Sequence, residues 1–193
     1  MRIIAGRFKQ RQLHTPLGMD TRPTLGRTRE SLFSMLYGAF EEAKVLDLFA
    51  GTGALGIEAL SRGAEYAVFC DKAKPAIKAI KKNIAMLKIE DETSVIAGDW
   101  TQALSRLRQD NMRFDLIFVD PPYKMDPNPV LKELIVCQTL SKHGIIILEH
   151  DVNQTIDIPD GLQVHHQRTY KDTAITFLKK EGEDENHPVS GQL

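Results

Sequence analysis

Val45-Leu46-Asp47-Leu48-Phe49-Ala50-Gly51-Thr52-Gly53-Ala54-Leu55-Gly56 (VLDLFAGTGALG) is the stretch on which the fold turns. Val45–Phe49 reads as a buried strand, and Gly51, Gly53 and Gly56 match G-x-G-x-x-G at the start of a helix over residues 54–62. Strand, glycine turn and helix in that order open a βα unit whose turn approaches a ribose-bearing ligand. Asp71 agrees with this reading. It follows the next strand, residues 66–70 (YAVFC), and lies 20 positions after Gly51, where an acid can accept from ribose hydroxyls.

Outward from this unit, short apolar runs keep alternating with amphipathic stretches. Residues 74–87 read as a helix, 94–97 as a strand, 101–109 as a helix, 116–119 as a strand, 129–140 as a helix and 145–148 (IIIL) as a strand. Residues 162–170 and 173–178 read as an antiparallel hairpin turning at Lys171-Asp172. The expected fold class is α/β: a doubly wound, mostly parallel, seven-stranded Rossmann-like sheet closed by that hairpin. Ahead of it, residues 2–4 and 12–14 flank Gly6 as a small β-hairpin arm, and residues 28–40 read as a helix striped by Leu32, Phe33, Leu36 and Phe40. The organisation is a basic arm over 1–20, one domain over 21–180 and an acidic tail over 181–193, expected to be disordered.

Asp47 argues against a dinucleotide. It ends the first strand, where its charge would face a pyrophosphate badly but would suit a cationic amine. Asp99, in Ala97-Gly98-Asp99-Trp100 after the third strand, adds a carboxylate that could accept from an adenine amine, with Trp100 bounding the ring, or simply cap the next helix. Three acids at successive strand ends favour a nucleoside carrying amine and sulfonium charges.

A second motif follows the fourth strand. Asp120-Pro121-Pro122-Tyr123 presents a carboxylate, carbonyls on a fixed backbone and an aromatic face, which suits a planar group bearing an amine, such as a nucleobase. The bland alternative is a proline turn. Guanine offers adjacent N1–H and N2 donors that an all-acceptor carboxylate can hold together, whereas adenine sets a donor beside an acceptor. This tilts towards guanine and leaves adenine open.

The loop 47–53 (DLFAGTG) resembles the S-adenosylmethionine loop of class I methyltransferases, and Asp120–Tyr123 resembles the motif of enzymes that methylate exocyclic base amines. Residues 2–6 (RIIAG), 22–24 (RPT), 28–33 (TRESLF) and 55–63 (LGIEALSRG) resemble the RsmD family, over residues 2 to about 180. That resemblance implies a methyltransferase acting on guanine N2 of bacterial small-subunit ribosomal RNA. It implies cofactor contacts at Asp47, Phe49, Ala50, Gly51, Thr52, Gly53, Asp71 and Asp99, with Asp120, Pro121, Pro122 and Tyr123 in catalysis. It also sets Arg22, Thr24, Thr28 and Arg29 near the cofactor's methionine end and the substrate entrance. Relatives often carry glycine after the tyrosine of Tyr170-Lys171-Asp172-Thr173, so the last turn departs from the pattern.

Charge points to a polyanion. Residues 1–30 hold seven basic residues against Asp20 and Glu30, a balance of +5, so the rest carries −6 of the net −1. Arg2, Arg7, Lys9, Arg11 and Arg22, with Phe8 for stacking, are the expected RNA contacts, and the small ribosomal subunit or its RNA the expected partner. Apolar content of 42% and the lack of a long apolar run fit a soluble protein that neither spans nor anchors to a membrane. Cys70 and Cys137 lie far apart without a ligand set, so cytoplasmic, reduced thiols and no metal are expected. The compact domain is expected to be a monomer. Rival readings are an adenine-N6 DNA methylase, an NAD-binding oxidoreductase and a non-catalytic RNA-binding module.

Overall fold

The apolar runs split their side chains between two destinations, as the two-residue period of a strand requires. Val45, Phe69, Leu116, Phe118, Ile145 and Ile147 enter one buried cluster. Leu46, Val68, Cys70, Ile117, Val119, Ile146 and Leu148 enter another. A sheet with both faces covered follows, and the computed structural model, which describes residues 1–16 and 23–182 but only the backbone of 23–28, has this architecture.

The strands are β1 (Lys44–Asp47), β2 (Tyr66–Asp71), β3 (Thr93–Ala97), β4 (Phe114–Val119), β5 (Leu140–Asp151), β6 (Leu162–Tyr170) and β7 (Thr173–Lys180). They form one seven-stranded sheet in the order β3-β2-β1-β4-β5-β7-β6. The five strands from β3 to β5 are parallel, and β7 and β6 close the edge antiparallel. Strand order reverses between β1 and β4, so a crevice opens there beyond the strands' carboxyl ends, the usual ligand position in such sheets. The helices are α1 (Pro23–Met35), α2 (Ala54–Ser61), α3 (Lys74–Leu87), α4 (Trp100–Gln109) and α5 (Asn128–Val136). Residues of α1, α2 and α3 fill the first cluster, and residues of α4 and α5 the second.

Some expected boundaries moved. The first helix starts at Pro23 and stops at Met35 rather than running 28–40, because Gly38 (φ 84°) turns the chain and Phe40 reaches the core from a non-helical segment. Strand β5 extends to Asp151 because β7 pairs with it through Asp151↔Thr173. The last turn closes with Lys171 at φ 37°, so a left-handed position is held without the glycine of the relatives.

The amino-terminal arm keeps only one isolated bridge, Arg2↔Gln12, in place of two strands. Its backbone turns instead to α2. Buried Glu58 accepts from Ile4 N (2.7 Å) and Ala5 N (3.0 Å) and pairs with Arg62 (2.8 Å). Ser61 receives Arg7 N on its carbonyl and Phe8 N on its hydroxyl, while Asn83 of α3 exchanges hydrogen bonds with the His14 backbone. Ile3 and Leu13 are buried in the first cluster, so the arm is part of the same core. Arg22 and residues 183–193, hence nearly all of the acidic tail, lie outside the described residues. Among the described residues no helix is long and apolar enough to cross a membrane.

Candidate active site

Four acids close the parallel strands on one face. Asp47 continues the face of Val45, Asp71 that of Phe69, Asp120 that of Phe118 and Glu149 that of Ile147, all neighbours of the first cluster. The register Asp47↔Phe118 places Asp120 just beyond Asp47 at the point where strand order reverses.

The glycine loop is braced by two of these acids. Gly51 and Gly53 turn with φ of 56° and 77°. Gly51 N donates to Asp71 Oδ2 (2.8 Å), Ala73 N donates to Asp71 Oδ1 (2.8 Å), and Gly56 N donates to Asp47 Oδ2 (3.1 Å). Asn83 Nδ2 donates to the Thr52 carbonyl (3.0 Å), and Ala50 N to the Cys70 carbonyl (2.9 Å). Two N–H groups that a pyrophosphate would need are therefore already held by carboxylates. Phe49 lies half-buried against the second cluster.

Asp47 is 1% exposed. Burial, then the charges of Asp120 and Asp71, push its carboxyl up to about 7 against the pull of the Gly56 bond. Its folded pKa thus lies above its unfolded value, so the free protein loses stability as pH rises towards 7. Asp47→Asn is expected to raise the thermal midpoint by at least about 4 °C at pH 8, a gain that shrinks by more than half at pH 5. Scanning calorimetry checks this, and equal gains at both pH values would contradict a buried-charge origin.

At the other motif, Asp120 is set among protein atoms but open to solvent on one side. Desolvation raises its carboxyl to about 6. Tyr123 is 68% exposed, and its hydroxyl is hydrogen-bonded to the Asp151 carboxylate at the end of β5, which holds that acid below the usual range. The ring is a pinned, exposed platform. Pro122's carbonyl accepts Met125 N (2.7 Å), and Pro121 is half-buried between the acid and the ring.

The remaining expected residues are placed differently. Asp99 caps α4, accepting from Thr101 N and Thr101 Oγ1 at 3.0 Å with Oδ1, and Trp100 packs on the second cluster. Arg29 donates from Nη2 to the Arg2 carbonyl, and its Nε is buried without a partner among the described residues. Burial lowers its pKa. The side chains of Thr24 and Thr28 are outside the described set, as is Arg22. Arg7 pairs with Glu92 and lies 4.5 Å over the Phe8 ring, which packs on the core. Ser61 and Glu92 precede the starts of β2 and β3, so the arm's tip sits at the sheet end opposite the four acids. Arg2, Lys9 and Arg11 are exposed.

Sequence reading missed Glu58, Asn83 and Glu149. An acid amid Ile57, Ala59 and Leu60, and an asparagine at the core stripe of α3, were the available signals, since a buried polar group needs a partner.

The family model described as "Conserved hypothetical protein 95" matches residues 1–179. The chain belongs to this family. It is 38% identical over 186 residues to "Putative rRNA methyltransferase YlbH" of Bacillus subtilis (strain 168), covering 94% of this chain and 100% of that one. It is 31% identical over 191 residues to "Ribosomal RNA small subunit methyltransferase D" of Escherichia coli (strain K12), covering 96% and 93%. Among solved structures, "Putative methyltransferase yhhF from Escherichia coli" superposes with a TM-score of 0.84 at 31% identity, over 95% of this chain and 99% of that one. The seven-stranded sheet of this family member is the methyltransferase fold.

Proposed function

We propose that this chain is an S-adenosylmethionine-dependent methyltransferase acting on the exocyclic N2 amine of a guanine in small-subunit ribosomal RNA. The observation that carries this reading is the shared face of Asp47 and Asp120, with a pinned Tyr123 beside them. The buried, cation-poor Asp47 carboxylate fits the cofactor's ammonium, whereas Arg29 is engaged by the Arg2 carbonyl with Glu58 and Arg62 as its charged neighbours. Asp71 suits the ribose and Asp99 the adenine, since Asp71 at the end of β2 lies between the glycine loop after β1 and Asp99 after β3. When bound, the cofactor supplies a sulfonium methyl group.

Tyr123 offers base stacking, worth about 1–3 kcal/mol in comparable contacts. Asp120 and the Pro121 carbonyl accept the amine's N–H bonds, which orients its lone pair and offsets charge developing on nitrogen. Asp120 then takes the amine proton and passes it to solvent on its open side. The base has to leave its stack to reach this pocket. Exposed Arg2, Lys9 and Arg11 supply backbone contacts, and their distance from the acids requires an RNA that extends along the body of the domain.

Incubation with methyl-labelled cofactor and small-subunit RNA, followed by nucleoside analysis, tests the reading. N2-methylguanosine is the expected product. Label in adenine of DNA, with none in RNA, would replace it with the adenine-methylase reading.

A further inference from the structure

Glu149 is an acid that the reading above leaves unused. Parallel pairing matches Phe118 with Ile147 and Val119 with Leu148, and the next step of that register sets Asp120 beside Glu149. Both continue the face of Phe118 and Ile147, the face of Asp47. Glu149 is half-buried, and burial together with the Asp120 charge raises its carboxyl to about 8.

Among the described residues no hydrogen bond or ion pair engages Glu149. His150 instead binds Thr176 Oγ1 (2.9 Å), Asp151 is held by Tyr123, and the partner of Glu149 on β7 is the apolar Ile175. Two carboxyl groups kept side by side without a cation are costly unless a ligand brings several donors to both. Guanine's edge does so, because N1–H and the N2 amine lie next to each other, while adenine presents an acceptor at N1.

We propose that Glu149 is a further substrate-binding residue, accepting N1–H of the target guanine while Asp120 and the Pro121 carbonyl hold the N2 amine. This rests on the guanine-N2 reading above. The two strand-end acids then divide one base edge between them, and discrimination against adenine comes from the pair.

The test compares kcat/KM for small-subunit RNA carrying guanosine or 1-methylguanosine at the target. The full-length protein is expected to prefer guanosine by about 100-fold or more, as a site built to bond a donor rejects an analogue lacking it. In Glu149→Ala the preference is expected to fall below about tenfold. Glu149→Gln, which keeps an accepting oxygen, is expected to retain it. Glu149→Leu serves as a second variant of similar bulk, with S-adenosylhomocysteine affinity and the thermal midpoint confirming that each variant is folded. An unchanged preference in both the Ala and Leu variants would overturn the role of Glu149 while leaving N2 methylation intact. Wild-type protein that leaves guanine N2 untouched would overturn both.

Discussion

Asp120→Ala is expected to lower the rate of methyl transfer by about 1,000-fold or more while S-adenosylhomocysteine binds within about twofold of wild type. The split follows from position. Asp120 leads the Asp120–Tyr123 motif, whereas the glycine loop is braced by Asp47 and Asp71, which the substitution leaves in place. Removing one acid also lowers the charge repulsion on Asp47, so cofactor affinity has no reason to collapse. An amine without its acceptor keeps its lone pair delocalised into the ring. Because the Asp120 carboxyl is raised to about 6, wild-type activity should fall as pH drops through that region, a limb missing from the residual activity of the variant. Single-turnover kinetics with calorimetry of S-adenosylhomocysteine separates the two effects. Retained turnover would remove Asp120 from the mechanism.

Gly6→Ala is expected to destabilise the protein by about 3 kcal/mol or more. Gly6 has φ of 80°, and a Cβ there would lie 1.7 Å from the Ser61 carbonyl oxygen and 2.7 Å from its hydroxyl. Backbone cannot yield to that overlap, so the arm has to leave α2. Glu58 then loses the Ile4 and Ala5 donors and remains buried with only Arg62, and an acid stripped of its hydrogen bonds is costly in itself. Ile3 and Leu13 leave the core in the same event. Urea unfolding measures the loss, and the midpoint should drop with a shallower slope, because the arm's surface is already exposed in the folded variant. A midpoint equal to wild type would show that the arm is not tied to α2 as described.

Much of the parallel sheet was legible because its signals are local. VLDLF, YAVFC and FDLIFV each carry strand period and burial together, and Asp47, Asp71 and Asp120, which end or directly follow β1, β2 and β4, fall at the sheet's carboxyl edge. Asp47 and Asp71 were readable from the glycine spacing, and Asp120 from the prolines after it. Asp99 was readable only as two alternatives, since the same aspartate that could reach a base also caps α4. What escaped is held by pairings distant in sequence. Glu58 meets Ile4 across 54 positions, and Asn83 meets His14 across 69, so neither partner leaves a local pattern. Glu149 had no motif at all, and only the β4–β5 register brings it to Asp120. The arm looked like a free basic hairpin because charge was counted without its partners. Arg7 pairs with Glu92 at the surface, and the partly buried Phe8 packs against the core.

On the proposed function, this strand-end pocket methylates guanine N2 in small-subunit ribosomal RNA. Mass spectrometry of that RNA from a strain lacking the protein, and from the same strain carrying either the wild-type chain or Asp120→Ala, tests it most directly. One N2-methylguanosine should disappear on deletion, return with the wild-type chain and stay absent with the variant. An unchanged set of methylated guanosines in the deletion strain would contradict the account.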